Sequence, residues 1–186
     1  WDTTTPKSEL TQIEKYGGFY VARYEAGLAD TIAEFTTNQV HTGSNQLYNL
    51  DGIPQSKAGV VPWIFIDWNY AKANPESMYN NEYVSSGLIT GTQWDVILNK
   101  MLSLNLINAS DLTNSSLWGN YANNTISYTG RLASADWNSI NNGKWTLKPF
   151  SMLTSGTTIG NSLLTTGASA TTEKYHIFDI AGNVWE

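Results

Sequence analysis

Tyr175-His176-Ile177-Phe178-Asp179-Ile180-Ala181-Gly182-Asn183-Val184-Trp185-Glu186 is the stretch on which the fold reading turns. It runs apolar, aromatic, Asp, apolar, then Gly-Asn-Val-Trp-Glu. Gly182 lets the backbone turn with positive φ, because it has no Cβ to clash. After such a turn Asn183 and Glu186 offer side-chain oxygens, and the carbonyls of Gly182 and Val184 point inward. That mixture of amide, carboxylate and carbonyl oxygens is what Ca²⁺ takes from an irregular loop. The same residues also read as packing, with Asp179 in an Asx-type turn, Trp185 as a core anchor and Glu186 accepting backbone hydrogen bonds. On the residues alone packing is preferred, since Ca²⁺ takes about 6 to 8 oxygens and this loop supplies fewer.

Working outward, the clearest element is a helix from Thr90 to about Leu104. Thr90-Gly91-Thr92-Gln93 reads as a capping box, in which hydroxyl and amide side chains satisfy each other's orphan backbone donors. Trp94, Ile97, Leu98 and Met101 then recur at i, i+3, i+4 and i+7, one helical face. Gly17-Gly18 followed by Phe19-Tyr20-Val21-Ala22-Arg23-Tyr24-Glu25 reads as a turn and a strand, by its aromatic and β-branched content. Val60 to Ile66 is a second apolar run; Pro62 cannot donate to a ladder, which places it at an edge or in an extended loop crossing the core.

Asp67 is expected to cap a short helix through Ala73, and Asn74 before Pro75 a further one to about Tyr79. A short polar strand is expected near Ile126-Ser127-Tyr128, and an ordered loop from Thr154 to Thr172, rich in Thr, Ser and Gly. Trp118, Trp137 and Trp145 stand isolated among turns. Two short helices with scattered strands and long loops make the class α+β.

At 186 residues the chain is long enough for one domain with a real core. Apolar residues at 41% and aromatics at 12% exclude a disordered chain, which cannot bury enough surface to offset its ordering entropy. Ten basic against 16 acidic residues leave a net charge of −6, which argues against nucleic acid and against an anionic membrane surface. Cysteine is absent, so thiolate sites and disulfides are absent from these residues. No apolar run reaches the roughly 20 residues of a membrane helix. The start at Trp1 and the end inside an aromatic-rich string lead to the expectation of a piece of a larger parent chain, truncated at its C-terminus. Residues 1–15, with Pro6 and the Leu10, Ile13 spacing, read as a lead-in or linker, and 16–186 as the domain.

Catalytic signatures are sparse. His41 and His176 have no ligand-spaced neighbour and read as an exposed loop residue and a packed or hydrogen-bonded one. No GxSxG elbow, phosphate loop or GxGxxG follows a strand. Tryptophans on Asn-rich loops suit sugar rings, which stack on a flat apolar face rimmed by amides, although any one Trp is more often a core or loop anchor.

The terminal string resembles the formylglycine-generating enzyme (sulfatase-modifying factor) family, whose domain is a loop-rich variant of the C-type lectin fold. Other segments match in order. Gly18 to Glu25 looks like the family's opening strand, Asp67 to Tyr79 sits where its first helix lies, Leu88 to Asp95 is similar to its second-helix motif, and Trp118-Gly119-Asn120 to its Trp-Gly-Asn. Ile89 and Gln93 stand where the family has Pro and Glu, which points to a divergent branch. The family's reactive Cys pair and closing Arg-Gly-Gly-Ser and Gly-Phe-Arg segments come after Trp-Glu.

The resemblance implies a C-type lectin-like domain of two short helices against small twisted antiparallel sheets, and a Ca²⁺ site at Gly182, Asn183, Val184 and Glu186. The expected function is non-catalytic: an extracellular, cell-surface or virion-displayed recognition module that binds a carbohydrate or a protein receptor through its loops. The alternative is an oxidase of the formylglycine-generating type acting on a peptide cysteine, with copper and catalytic residues beyond Glu186.

Overall fold

The computed structural model describes residues 5–27, 34–35, 53–60, 62–63, 66, 68–79, 81–125, 127, 133–138, 144–149, 156, 158–159 and 162–182. Among these the class is α+β. Helices α1 (Thr5–Tyr16), α2 (Trp68–Ala73) and α3 (Gly91–Ser103) are joined by 3₁₀ turns at Asn74–Ser77, Ala109–Leu112, Ser115–Leu117 and Ala170–Thr172. Strands β1 (Ala26–Gly27) and β3 (Gln55–Ser56) form a two-stranded antiparallel pair. Strands β2 (Glu34–Phe35), β4 (Ala133–Asn138), β5 (Lys144–Pro149) and β6 (Ser162–Leu164) make an antiparallel sheet in the order β2-β5-β4-β6. The β4–β5 register sets Trp137 opposite Trp145. No helix among the described residues is long and apolar enough to cross a membrane.

Helix α3 forms as its local signals dictate. Thr90 is extended at the N-cap; its hydroxyl accepts from Gln93 N–H at 3.2 Å, and Gln93 Oε1 accepts from Thr90 N–H at 3.0 Å. At the other end Asn105 sits at φ +55°, Asn105 N–H donates to Leu102 O and Leu106 N–H donates to Met101 O. This is the paired-bond termination that an Asn in the left-handed region permits. The apolar face lands where the spacing puts it. Ile97 and Met101 are buried with Ile107, Trp118 and Ile180, and Phe19, Ile89, Trp94, Leu98, Leu102, Ile177 and Ala181 pack around them.

Several elements differ from the sequence reading. Phe19 to Glu25 is not a strand: ladder pairing starts at Ala26, and the bonds before it go elsewhere. Tyr24 N–H donates to Ser56 Oγ, the Ser56 hydroxyl donates back to Tyr24 O, and Arg23 O accepts from Phe178 N–H. A side-chain hydroxyl and one loop amide replace the neighbouring strand there. Pro62 does sit at an edge, bridged to Gly27, with Trp63 N–H donating to Ala26 O.

Helix α2 matches its expected span, with Asp67 outside the described residues. Asn74 does not start a new helix; Ala73 is helical, and the chain tightens directly into a 3₁₀ turn that ends at Ser77. Pro75 lacks the N–H that an α-helical bond requires, so the tighter turn follows. The segment expected as a loop from Thr154 to Thr172 contains β6, paired with β4, whose Leu164 is completely buried. Burial of that apolar side chain outweighs the loop-forming neighbours. Of the strand expected near Ile126-Ser127-Tyr128, only Ser127 lies within the described residues, beside a bridge of Thr125 to Thr158.

A third helix, α1, occupies most of the expected lead-in. It meets α3 through the N-cap itself, because the Thr90 hydroxyl that accepts from Gln93 also donates to Glu9 Oε2 at 3.1 Å.

Urea unfolding checks this core. Met101→Ala is expected to cost about 2–5 kcal/mol, because a fully buried side chain is replaced by a cavity. Thr90→Ala is expected to cost about 0.5–2 kcal/mol through the lost cap. A Met101→Ala variant as stable as the parent contradicts the core described here.

Candidate functional site

The terminal string enters the core as an apolar–acid–apolar unit. Phe178, Asp179 and Ile180 are all buried, and Asp179 is only 2% exposed. Asp179 sits at φ +57°, a conformation that Asp tolerates better than most residues. Its carboxylate is spent on distant partners rather than on an Asx turn of its own. Oδ2 accepts from Gly167 N–H at 2.5 Å, and Oδ1 accepts from Asn120 Nδ2 at 2.8 Å and from Thr172 Oγ1 at 3.1 Å. Thr172 Oγ1 shares its one proton with Ser169 O at 2.8 Å.

Burial pushes the Asp179 carboxyl above its ordinary value of 3.8, and the donors from Gly167, Asn120 and Thr172 offset only part of that. Asn120 Oδ1 and Trp118 Nε1 are buried without a hydrogen-bond partner among the described residues. Each such atom costs about 1–3 kcal/mol, so the three bonds to Asp179 carry more weight.

The string also closes on the Trp118-Gly119-Asn120 segment. Asn120 N–H donates to Ala181 O at 2.8 Å, and Asn120 bridges Gly182 in parallel. Gly182 has the predicted positive φ, at +78°. A Cβ there would lie 2.9 Å from Asn120 backbone atoms, so the close approach needs glycine as much as the turn does. Gly167 is required in the same way: φ is +66°, and a Cβ would strike the Tyr24 ring, which stacks on Phe178 at 5.2 Å. Of the expected metal site, Gly182 is therefore placed, while Asn183, Val184, Trp185 and Glu186 lie outside the described residues, as does His41.

On the surface, Lys174 and Ile177 exchange backbone bonds across Tyr175 and His176, both at positive φ. His176 is exposed rather than packed, its Nδ1 3.2 Å from Glu173 Oε1. Glu173 also faces Arg23 at 3.8 Å, and the Arg23 guanidinium lies over the Tyr24 and Phe178 rings. Among the described residues no group of three His, Asp or Glu side chains is placed to hold a metal.

Further exposed aromatics lie on α2 and on the loop that follows its 3₁₀ turn. Trp63 and Trp118 are buried anchors, as the prior for tryptophan suggests, whereas Trp68 on α2 is exposed with Lys72 Nζ 5.1 Å from its ring. Beyond it the loop from Tyr79 to Ser86 presents Tyr79 and Tyr83, 62% and 86% exposed, next to Val84.

This loop is pinned from within. Asn81 Oδ1 accepts from Tyr83 N–H and Val84 N–H, and Asn81 N–H donates to Val84 O. The Ser86 hydroxyl bonds Pro75 O and Tyr79 O, while Tyr79 N–H donates to Ser86 Oγ. Sequence reasoning offered tryptophans for a stacking platform while preferring burial for any one of them, and it did not single out these tyrosines. The available signal was Asn81 and Ser86, turn formers flanking aromatics that belong to no periodic face.

The raised Asp179 carboxyl predicts a signed pH effect. The fold holds this proton more tightly than the unfolded chain does, so the group's contribution is complete below 3.8 and declines as pH rises through the raised native value. In urea titrations from acid to neutral pH, the stability difference between parent and Asp179→Asn is expected to shrink with rising pH. Asp179→Asn also sets an amide donor or a lone acceptor against Gly167 and Asn120, at a cost of about 1–3 kcal/mol. A difference that grows with pH contradicts the assignment. Comparison with known proteins finds no matching family model, no matching curated protein and no matching solved structure.

Proposed function

We propose that this chain is a recognition module with a C-type lectin-like scaffold of the formylglycine-generating type, displayed outside the cell or on a virion, which binds a carbohydrate or protein receptor through its loops. The observation that carries the reading is the pinned loop with outward Tyr79 and Tyr83. An exposed apolar ring costs solvation free energy, and a loop whose conformation is fixed by four internal side-chain bonds and a fifth to Pro75 presents such rings with little entropy left to lose on binding. Flat aromatic faces beside amides suit a hydroxylated ring. The scaffold part is supported by convergence among segments that carry the resemblance: α3, Trp118, Ile180 and Ala181 share one core, Asn120 bonds Ala181, and Arg23–Tyr24 join the terminal string at Phe178.

The Ca²⁺ site belongs to the same reading, at Gly182, Asn183, Val184 and Glu186. Gly182 at positive φ fits it, since the chain can fold back to offer carbonyls. Asp179 stands outside the proposed ligand set; both its oxygens accept from N–H and O–H donors of the chain.

Tyr83→Ala and Tyr79→Ala are expected to leave stability within about 0.5 kcal/mol, as exposed side chains do. Together they should remove binding on a glycan array or to the cognate cell surface. Retained binding by the folded double variant sinks the reading. For calcium, thermal melts with and without chelator are expected to differ. The ion contributes about 2.7 kcal/mol at one hundred times its dissociation constant. Asn183→Ala should remove most of that difference and Asn120→Ala should keep it; equal melts of the parent refute the metal.

A further inference from the structure

The turn at Tyr175 and His176 holds two side chains in water at a cost in backbone free energy. Lys174 N–H donates to Ile177 O at 2.8 Å, and Ile177 N–H donates back to Lys174 O at 3.0 Å, which closes a two-residue loop. Its central residues sit at φ +54° and +63°. Asn-Gly builds such a loop most easily, because a larger side chain at positive φ crowds its own backbone. Burial does not offset the cost here: Tyr175 is 52% exposed, and the His176 side chain is 83% exposed. Strain kept for outward side chains points to a use for those side chains.

Polar groups converge beside them. His176 Nδ1 lies 3.2 Å from Glu173 Oε1, so the carboxylate holds that edge of the ring and leaves Nε2 facing away from it. The same Oε1 lies 3.8 Å from Arg23 Nη2, which makes the imidazole and the guanidinium neighbours. The guanidinium carbon lies 5.5 Å from the centre of the Tyr24 ring and 5.4 Å from that of Phe178, and these two rings stack on each other. The Arg23 side chain is nevertheless half in solvent. A planar fork steadied on rings and open to water is pre-organised for a carboxylate. In a chain of net charge −6, Arg23 and Lys174 outnumber Glu173 at this corner.

We infer that this turn binds a carboxylated sugar, with Arg23 on the carboxylate, His176 and Glu173 on ring hydroxyls and Tyr175 against the face of the ring. An acidic peptide brings carboxylates but leaves the hydroxyl-bonding groups and the flat Tyr175 ring without a matching partner, whereas a hydroxylated ring fits both. The ligand class rests on the recognition reading above, but the site uses no residue of the Tyr79–Ser86 loop.

The probe is methyl glucuronide, titrated while backbone amide shifts are followed, with methyl glucoside and a capped triglutamate peptide as comparators. Millimolar glucuronide is expected to move the Tyr175 and His176 amides, and glucoside to bind about tenfold more weakly for want of the charged hydrogen-bonded pair. Arg23→Lys keeps the charge and loses the fork, so it should weaken glucuronide by about tenfold and leave glucoside unchanged. Tyr175→Asn with His176→Gly supplies the preferred turn pair; it is expected to melt at least about 2 °C above the parent and to lose glucuronide binding. Tyr79→Ala with Tyr83→Ala should bind glucuronide as the parent does, so this site and that loop fail separately. No shift at Tyr175 and His176 overturns the proposal, as does equal affinity for glucoside or tighter binding of the peptide at these residues. A turn variant that melts no higher than the parent, or retains binding, also overturns it, as does loss of glucuronide binding in the Tyr79, Tyr83 variant.

Discussion

One buried carboxylate holds this loop-rich chain together. Asp179 reaches Asn120 after the last turns that follow α3, Gly167 after β6, and Thr172 in the final 3₁₀ turn. Those segments have few ladder bonds of their own, so side-chain bonds do the fastening that a sheet does elsewhere. The arrangement costs desolvation, seen in the raised Asp179 carboxyl. It is tolerable because the group keeps three donors, and a buried acid with fully placed donors is far less costly than an unpaired one.

The knot also sets where the chain is glycine. Gly167 carries its N–H to Asp179 while admitting the Tyr24 ring, and Gly182 lets its own backbone lie against Asn120. Around these contacts an apolar cluster among the described residues is centred on Met101 and Trp118. A scaffold fastened at its centre by polar bonds leaves its outer loops free to vary in sequence, provided each is pinned by its own turns, as the Tyr79–Ser86 loop is by Asn81 and Ser86. That division suits a protein that displays loops.

What was legible beforehand was local. The α3 capping box, its apolar face and the positive φ of Gly182 all depend on residues within a few positions of one another, and each was found where expected. What was not legible depends on long closures. Asp179 meets Asn120 across 59 residues and Gly167 across 12, and no spacing rule reveals that. Phe19 to Glu25 has strand composition, but strand formation needs a neighbour, and Ser56 and Phe178 supply single bonds instead of a ladder. Asn81 and Ser86 mark a turn beside Tyr79 and Tyr83, but only tertiary context decides which rings stay in water.

The most direct test of the knot is a double-mutant cycle on Asn120 and Asp179 by urea unfolding. Asn120→Ala and Asp179→Ala are each expected to destabilise the chain, and the double variant should lose less than their sum by about 0.5–3 kcal/mol, because each single change orphans the other's buried group. Additive losses mean that the two side chains act independently, which contradicts the claim that this contact fastens the terminal string to the Trp118–Asn120 segment.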